Sequence, residues 1–206
     1  MASVGAVILA AGESKRLGRS KQLLQFRGKS LIRRVVDAAV AANCRPVVVV
    51  LGTNQRPNES IPDELHDTGA TIIFNPDSRL GIGTSIRAGI TEVAAHPDVA
   101  AVLLLTCDQP FVDASLLGHL AAAHERTKKQ VIASVYDGTV GIPALFERSC
   151  FDELLQLGDE EGAKRLILKD SARMRLVLFP GGAVDIDTPA DYQNLGQLDR
   201  PPSPPV

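Results

Sequence analysis

The sequence predicts a single α/β domain built on a mostly parallel β-sheet with helices on both faces. Three observations carry this. The 206 residues are 45% apolar and 22% charged, the composition of an ordinary globular chain with one well-buried core. Continuous apolar runs, too long for strands with one wet face, alternate with segments whose apolar residues recur at helical spacing. Glycine-rich or abruptly polar segments follow the ends of those runs, where open α/β sheets hold their ligands.

In chain order, Val4–Ala10 reads as a first buried strand that opens into a glycine-rich turn. Ser30 is placed to cap a helix bearing Leu31, Ile32, Val35, Val36, Ala39 and Val40 on one face. Pro46–Leu51 is a second strand and Thr71–Phe74 a shorter third. A helix over Ser85–Ala95 is entered through Gly81, Gly83 and Thr84 and stopped before Pro97. Val99–Leu105, the most apolar run, is the expected central strand, and it ends at Cys107-Asp108-Gln109-Pro110. Asp113 reads as the cap of a helix to about Thr127, followed by a strand at Val131–Val135. A helix from Gly162 to Leu168 and a strand at Leu176–Phe179 come next. Thr188-Pro189 starts the last helix, which runs to about Leu195. The domain is expected over residues 1–198, with 199–206 a proline-rich disordered tail, since proline supports neither helix nor ladder.

Composition also excludes. A net charge of −2 gives no basic field for nucleic acid or an anionic membrane. A polyanionic ligand would therefore have to meet a local cluster of cations and backbone amides. Cys44, Cys107 and Cys150 are odd in number and have no metal-like spacing, so reduced thiols are expected. The apolar start lacks the basic n-region of a signal peptide, and no stretch is long enough to cross a bilayer. The expected setting is the cytoplasm.

The first constellation is the loop Leu9-Ala10-Ala11-Gly12-Glu-Ser14-Lys15-Arg16-Leu-Gly18-Arg19-Ser-Lys21. Lys15, Arg16, Arg19 and Lys21 place four cations within seven residues of a slightly acidic chain. Glycines directly after a buried strand allow close backbone approach, and successive amides there can cradle phosphate oxygens. The plain alternative is a solvated basic loop. The segment is neither a Walker A loop nor a Gly-x-Gly-x-x-Gly dinucleotide fingerprint. The second constellation is Asp108, at the carboxyl end of the central run, with a turn aspartate before Pro110 as its alternative. The third is Asp185 and Asp187, at alternate positions of an extended piece and so able to face one side. Carboxylates from separate strand ends suit a hard cation such as Mg²⁺. Asp191 reads as a first-turn residue favoured by the helix dipole.

The pattern Leu-Ala-Ala-Gly-x-Ser-x-Arg-x-Gly-x-x-Lys, matched at Gly12, Ser14, Arg16, Gly18 and Lys21, resembles the N-terminal signature of the MobA-like NTP transferases, particularly the molybdenum cofactor cytidylyltransferase branch. That resemblance implies a Rossmann-like nucleotide-diphospho-sugar transferase fold. It also implies a Mg²⁺-dependent nucleotidyltransferase that moves CMP from CTP to molybdopterin and releases pyrophosphate. The loop from Leu9, Ala10, Ala11 and Gly12 through Ser14 and Gly18 would wrap the NTP. Arg16 and Lys21 would neutralise its phosphates, which accords with phosphoryl-type transfer being mostly positioning and charge cancellation. Asp108 and Asp187 would hold the ion, Asp185 being the weaker candidate. Asn75–Arg87 resembles the family's Gly-x-x-x-Ser segment, so Gly81 and Ser85 would contact base and ribose; a helix cap is the alternative for Ser85. Ala11 resembles the cytidylyl branch, the guanylyl branch typically having glycine there. The implied partners are the NTP, a phosphorylated small-molecule acceptor, and a molybdoenzyme or its maturation chaperone.

The acceptor half departs from the pattern. Gly141-Ile142-Pro143 stands where the family usually has Gly-His-Pro, and Gly158-Asp159-Glu-Glu-Gly162-Ala163-Lys164 is one residue longer than Gly-Asp-x-Gly-Ala-Arg. Gly141, Pro143, Asp159 and Lys164 remain the candidate acceptor contacts, with a turn and a helix start as their structural alternatives. The missing histidine leaves the acceptor open to a sugar phosphate, polyol phosphate or phospholactate-like compound, and the base open to guanine. Two other classes are weighed. A glycosyltransferase of similar fold would need Asp-x-Asp after a middle strand, where Asp108 stands alone. A non-catalytic nucleotide-binding partner of a molybdoenzyme would not need both Asp108 and Asp187.

Overall fold

The computed structural model describes residues 3–14, 16–53 and 60–196. Lys15 and the tail 199–206 therefore lie outside the described residues. Among the described residues nine strands form: β1 Ser3–Leu9, β2 Gln25–Phe26, β3 Lys29–Ser30, β4 Val47–Gly52, β5 Thr71–Asn75, β6 Val99–Thr106, β7 Val131–Tyr136, β8 Thr139–Glu147 and β9 Met174–Leu178. Seven of them make one sheet in the order β5-β4-β1-β6-β8-β7-β9, and β2 and β3 form a separate small hairpin. All ladders of the large sheet are parallel except those of β8, which runs against both β6 and β7. This is the expected mostly parallel α/β architecture.

The α-helices of the described residues are α1 Leu31–Ala41, α2 Ile61–Leu65, α3 Ile82–Ala94, α4 Ala114–Thr127, α5 Phe151–Leu155, α6 Lys164–Lys169 and α7 Pro189–Leu195. Alternate residues of β1 feed opposite cores. Ala6 and Ile8 pack with Ile32, Val36 and Leu117 on one face, while Val7 and Leu9 pack with Ile86, Ile90 and Leu154 on the other. That two-sided burial is why the strand reads as an unbroken apolar run. The caps read from the sequence form: Ser30 Oγ accepts from Arg33 N at 3.2 Å, and Asp113 Oδ1 from Leu116 N at 2.8 Å. Thr188 and Asp191 make a reciprocal capping box at α7, a stronger role for Asp191 than dipole compensation alone.

Strand β8 is the longest element sequence reading passed over, along with α2, α5 and the β2–β3 hairpin. Gly141 and Pro143 lie inside it rather than in a turn. Proline has no N–H for a ladder, which is what argues against a strand. The register resolves the conflict: Ser134 pairs with Gly141 and Ala133 with Ala144, so the ladder skips Ile142 and Pro143. Ser134 Oγ donates to the Pro143 carbonyl at 2.6 Å across the gap. Helix α3 also starts earlier than expected, at Ile82, so Ser85 lies inside its first turn and Gly81 takes the capping position.

Candidate active site

Parallel pairing of β1 with β6 sets Leu9 opposite Thr106. The glycine loop and the Cys107-Asp108 turn therefore leave the sheet side by side. A third segment is tied to them, since Ile186 N donates to the Asp108 carbonyl at 3.1 Å. Asp108 and Asp187 thus meet the loop through backbone geometry, not through side-chain contact alone, with Asp185 beside them.

Within the loop, Leu17 is buried and anchors the excursion, and Gly18 takes φ +69°, the left-handed region that favours glycine. Ser14 Oγ accepts from Lys21 N at 3.0 Å and closes the loop onto a short 3₁₀ turn, Lys21–Leu23. Lys21 is thereby aimed inward. Its Nζ lies 2.8 Å from Asp108 Oδ2 and 3.0 Å from Asp187 Oδ1. Arg16 reaches the other oxygen of Asp187 at 2.7 Å. Of the remaining loop cations, Arg19 stacks on the Tyr192 ring, with its guanidinium carbon 4.9 Å from the centroid, and so turns away from the carboxylates.

The electrostatics follow. Burial works against the Lys21 ammonium, but the Asp108 charge beside it and the bonds to Asp108 and Asp187 outweigh that, and its pKa is raised. The Lys21 bond, opposed by burial and aided by Arg16, holds the Asp187 carboxyl below its usual range. Asp185 moves the other way, raised by burial and by the charges of Asp108 and Asp187. Burial pushes the Cys107 thiol up to about 12, which leaves no thiolate chemistry beside Asp108.

Two hollows meet at Thr106 and Asp108. The first, about 220 Å³, is walled by Leu9, Ala10, Ala11, Gly12, Lys21, Gln22, Ser85 and Asp108. An added Cβ at Gly12 would meet nothing nearer than Lys21 Cε at 4.0 Å, so that side of the loop is open. Ser85 is held by Asn75, whose Nδ2 donates to it at 3.0 Å and to Thr84 Oγ1 at 2.8 Å. Ser14, Arg16, Gly18 and Gly81 stand behind or beside this wall rather than in it. The second hollow, about 310 Å³, is lined by Asp108, Gln109, Tyr136, Thr139, Ile142 and Asp185 among others. The candidate acceptor residues are distributed around it unevenly. Gly141 and Pro143 are buried in the backbone beneath Ile142. Lys164 reaches its rim by donating to Thr139 Oγ1 at 2.6 Å. Asp159 is turned to Arg87, 2.6 Å away, and its carbonyl accepts from Gly83 N at 2.8 Å.

Four residues that sequence reasoning missed organise this region: Gln22, Asn75, Gln109 and Tyr136. Gln109 Nε2 donates at 3.2 Å to both the Ile142 and the Gly182 carbonyls, stitching β6 to β8 and to the turn before Asp185. Tyr136 Oη donates to the same Ile142 carbonyl at 3.1 Å. Gln22 and Gln109 directly follow Lys21 and Asp108, but nothing in the sequence shows that their amides are buried.

A family described as the MobA-like NTP transferase domain matches residues 6–174. Among curated relatives, nicotine blue oxidoreductase of Paenarthrobacter nicotinovorans is 34% identical over 59% of this chain and 57% of its own length. The probable molybdenum cofactor guanylyltransferase of Opitutus terrae is 27% identical over 86% of this chain and 85% of its own. The molybdenum cofactor cytidylyltransferase of Escherichia coli K12 is 23% identical over 93% and 95%. Of solved structures, Rv0371c of Mycobacterium tuberculosis H37Rv superposes with a TM-score of 0.79 at 26% identity, covering 96% of this chain and 100% of that one. A manganese complex of Rv0371c superposes with a TM-score of 0.74 at 24% identity, over 95% and 98%.

Proposed function

The chain belongs to the MobA-like NTP transferases, and on that premise we propose that it moves CMP from CTP onto the phosphate of a molybdopterin-type acceptor, with Mg²⁺ as its ion. Nucleotidyl transfer comes with the family; the base, the acceptor and the ion are the proposal. The observation that carries it is Lys21 Nζ held between Asp108 and Asp187 at the open side of the glycine loop.

The donor set fits a divalent cation. Two hard carboxylates converge on one point of positive charge, which the ammonium supplies here as a stand-in. Among the described residues no third ligating side chain joins them, so phosphate oxygens and water would complete the shell. When bound, the ion would polarise the α-phosphate. The protein's own part is charge and position. Lys21 and Arg16 face the triphosphate and offset the negative charge that grows on the leaving pyrophosphate. The acceptor's phosphate oxygen attacks the α-phosphorus in line; the new P–O bond forms as the α–β bridging P–O bond breaks. That oxygen is already anionic near neutral pH, so no protein base is required. The nucleotide is assigned to the hollow beside Gly12 and Ser85, and the acceptor to the one beside Ile142 and Asp185.

Ile142 favours a second reading of the acceptor side, in which the same reaction serves a sugar phosphate, polyol phosphate or phospholactate-like compound, or uses GTP. On the first reading the product would pass to a molybdoenzyme or its maturation chaperone in the cytoplasm. Pyrophosphate release with Mg²⁺, measured for each of the four NTPs against molybdopterin and a panel of phosphorylated acceptors, tests both. Release confined to CTP with molybdopterin supports the first reading, and release with another pair replaces the substrates. Silence with every pair, NTP binding being intact, removes these acceptors and leaves either a different acceptor or the non-catalytic reading.

A further inference from the structure

Gln22 lies in the turn directly after Lys21 and is only 4% exposed, although it forms part of the wall of the nucleotide hollow. Its Nε2 donates to the Ala10 carbonyl at 2.7 Å and to the Gly12 carbonyl at 3.0 Å. Its Oε1 is buried, with no hydrogen-bond partner among the described residues. The opposite amide orientation would set that oxygen against two carbonyl oxygens, so the assignment follows from the chemistry. A buried acceptor without a donor is unfavourable, and folded proteins rarely keep one without a reason. Stability alone would place an apolar side chain here or pair both ends of the amide.

The reason lies in what the Nε2 group does to the loop. In a planar trans peptide, a C=O and the following N–H point to opposite sides. Drawing the Ala10 and Gly12 carbonyls onto Gln22 turns the next two N–H groups, those of Ala11 and Glu13, to the far side of the loop. Alternate amides turned to one side of a loop in this way suit phosphate oxygens. Ser14 Oγ fixes the other end of the loop through Lys21 N, so Gln22 and Lys21 together set its shape.

We infer that Gln22 is the positioning residue of the nucleotide loop, holding Ala10–Glu13 in the NTP-binding conformation without touching the phosphates itself. This rests on the reading of the hollow as the NTP site, which binding by the wild-type chain tests first. A wild-type chain that binds none of the four NTPs overturns that reading and this inference together. With the NTP that does bind, Gln22→Met keeps the bulk and removes the donor, and Gln22→Glu keeps the shape and replaces the donor with an acceptor. Both should weaken NTP binding by calorimetry, and raise the NTP KM, by roughly 10- to 100-fold, the loss of one to two buried hydrogen bonds. The acceptor KM should stay close to wild type in both variants, and Gln22→Met should stay folded, whereas Gln22→Glu should melt lower because its carboxylate faces two carbonyl oxygens; a purely structural role would move both substrates' KM values together. A folded Met variant with wild-type NTP affinity, equal losses for the two substrates, or failure of both variants to fold would each overturn the inference.

Discussion

The ammonium of Lys21 lies 2.8 Å from the carboxylate of Asp108, 87 residues further along the chain. Register sets the loop beside Asp108, because Leu9 and Thr106 are parallel partners at the ends of β1 and β6, and the Ser14–Lys21 bond turns the lysine inward. The lysine is only 14% exposed, so its charge acts in a poorly screened setting. Bound to two carboxylates, it is balanced in the free protein and would exchange one or both for phosphate oxygens when a nucleotide arrives with its cation.

Lys21→Met should therefore slow nucleotidyl transfer by roughly 10²–10³-fold, the range for removing one charge-stabilising group. Single-turnover pyrophosphate release reads this directly. A rate equal to wild type would mean that the lysine serves only to neutralise the two aspartates.

Asp108→Asn separates ion binding from folding. The bond that ties Ile186 to this position uses the Asp108 backbone carbonyl, which the substitution keeps. The circular-dichroism melt should remain cooperative, lowered only by the lost Lys21 bond, while turnover driven by Mg²⁺ or Mn²⁺ collapses. An unchanged metal titration curve would remove Asp108 from the ion site.

Much of this was legible in the sequence, for identifiable reasons. Strand β1 declares itself because both its faces are buried, and Thr188-Pro189 because capping chemistry is local. Gly12, Ser14, Arg16, Gly18 and Lys21 show as a motif because one loop carries them all. The illegible parts depend on distant partners. Strand β8 hides because its ladder skips Pro143, a device visible only once β7 is alongside. Gln22 and Gln109 resemble surface glutamines until carbonyls from Ala10, Ile142 and Gly182 close over them. The pairing of Asp159 with Arg87, on α3, is likewise invisible until the fold brings them together.

Acid stability should carry the mark of Asp187. Its folded pKa lies below the ordinary carboxylate value, chiefly through the Lys21 bond. The unfolded state thus binds the proton more readily than the folded one. The stabilisation is fully present above the unfolded value of 3.8 and is lost as pH falls through the folded value. Asp187→Asn should accordingly be less stable than wild type in urea near pH 6, with the difference shrinking below pH about 4. A gap that stays constant down to the acid transition would show that the Lys21 bond contributes nothing through ionisation.

Gly81→Ala should injure both stability and nucleotide binding. Gly81 holds φ +141°, and a Cβ there would run into the Asp159 carbonyl, a backbone atom that cannot swing aside. The same packing continues at Gly83, whose N–H bonds that carbonyl at 2.8 Å. Strain of this kind costs about 1–3 kcal/mol, and relief requires the turn before α3 to move, carrying Ser85 away from the nucleotide. Gly28 supplies the control. It too has positive φ, at +77°, but nothing lies within 4 Å of its added Cβ. Gly28→Ala should therefore lose only the backbone term, about 1–2 kcal/mol, and leave the NTP KM unchanged. If urea melts and KM values of the two variants matched, the contact between the Gly81 turn and the Asp159 loop would be incidental, and backbone conformation alone would account for both.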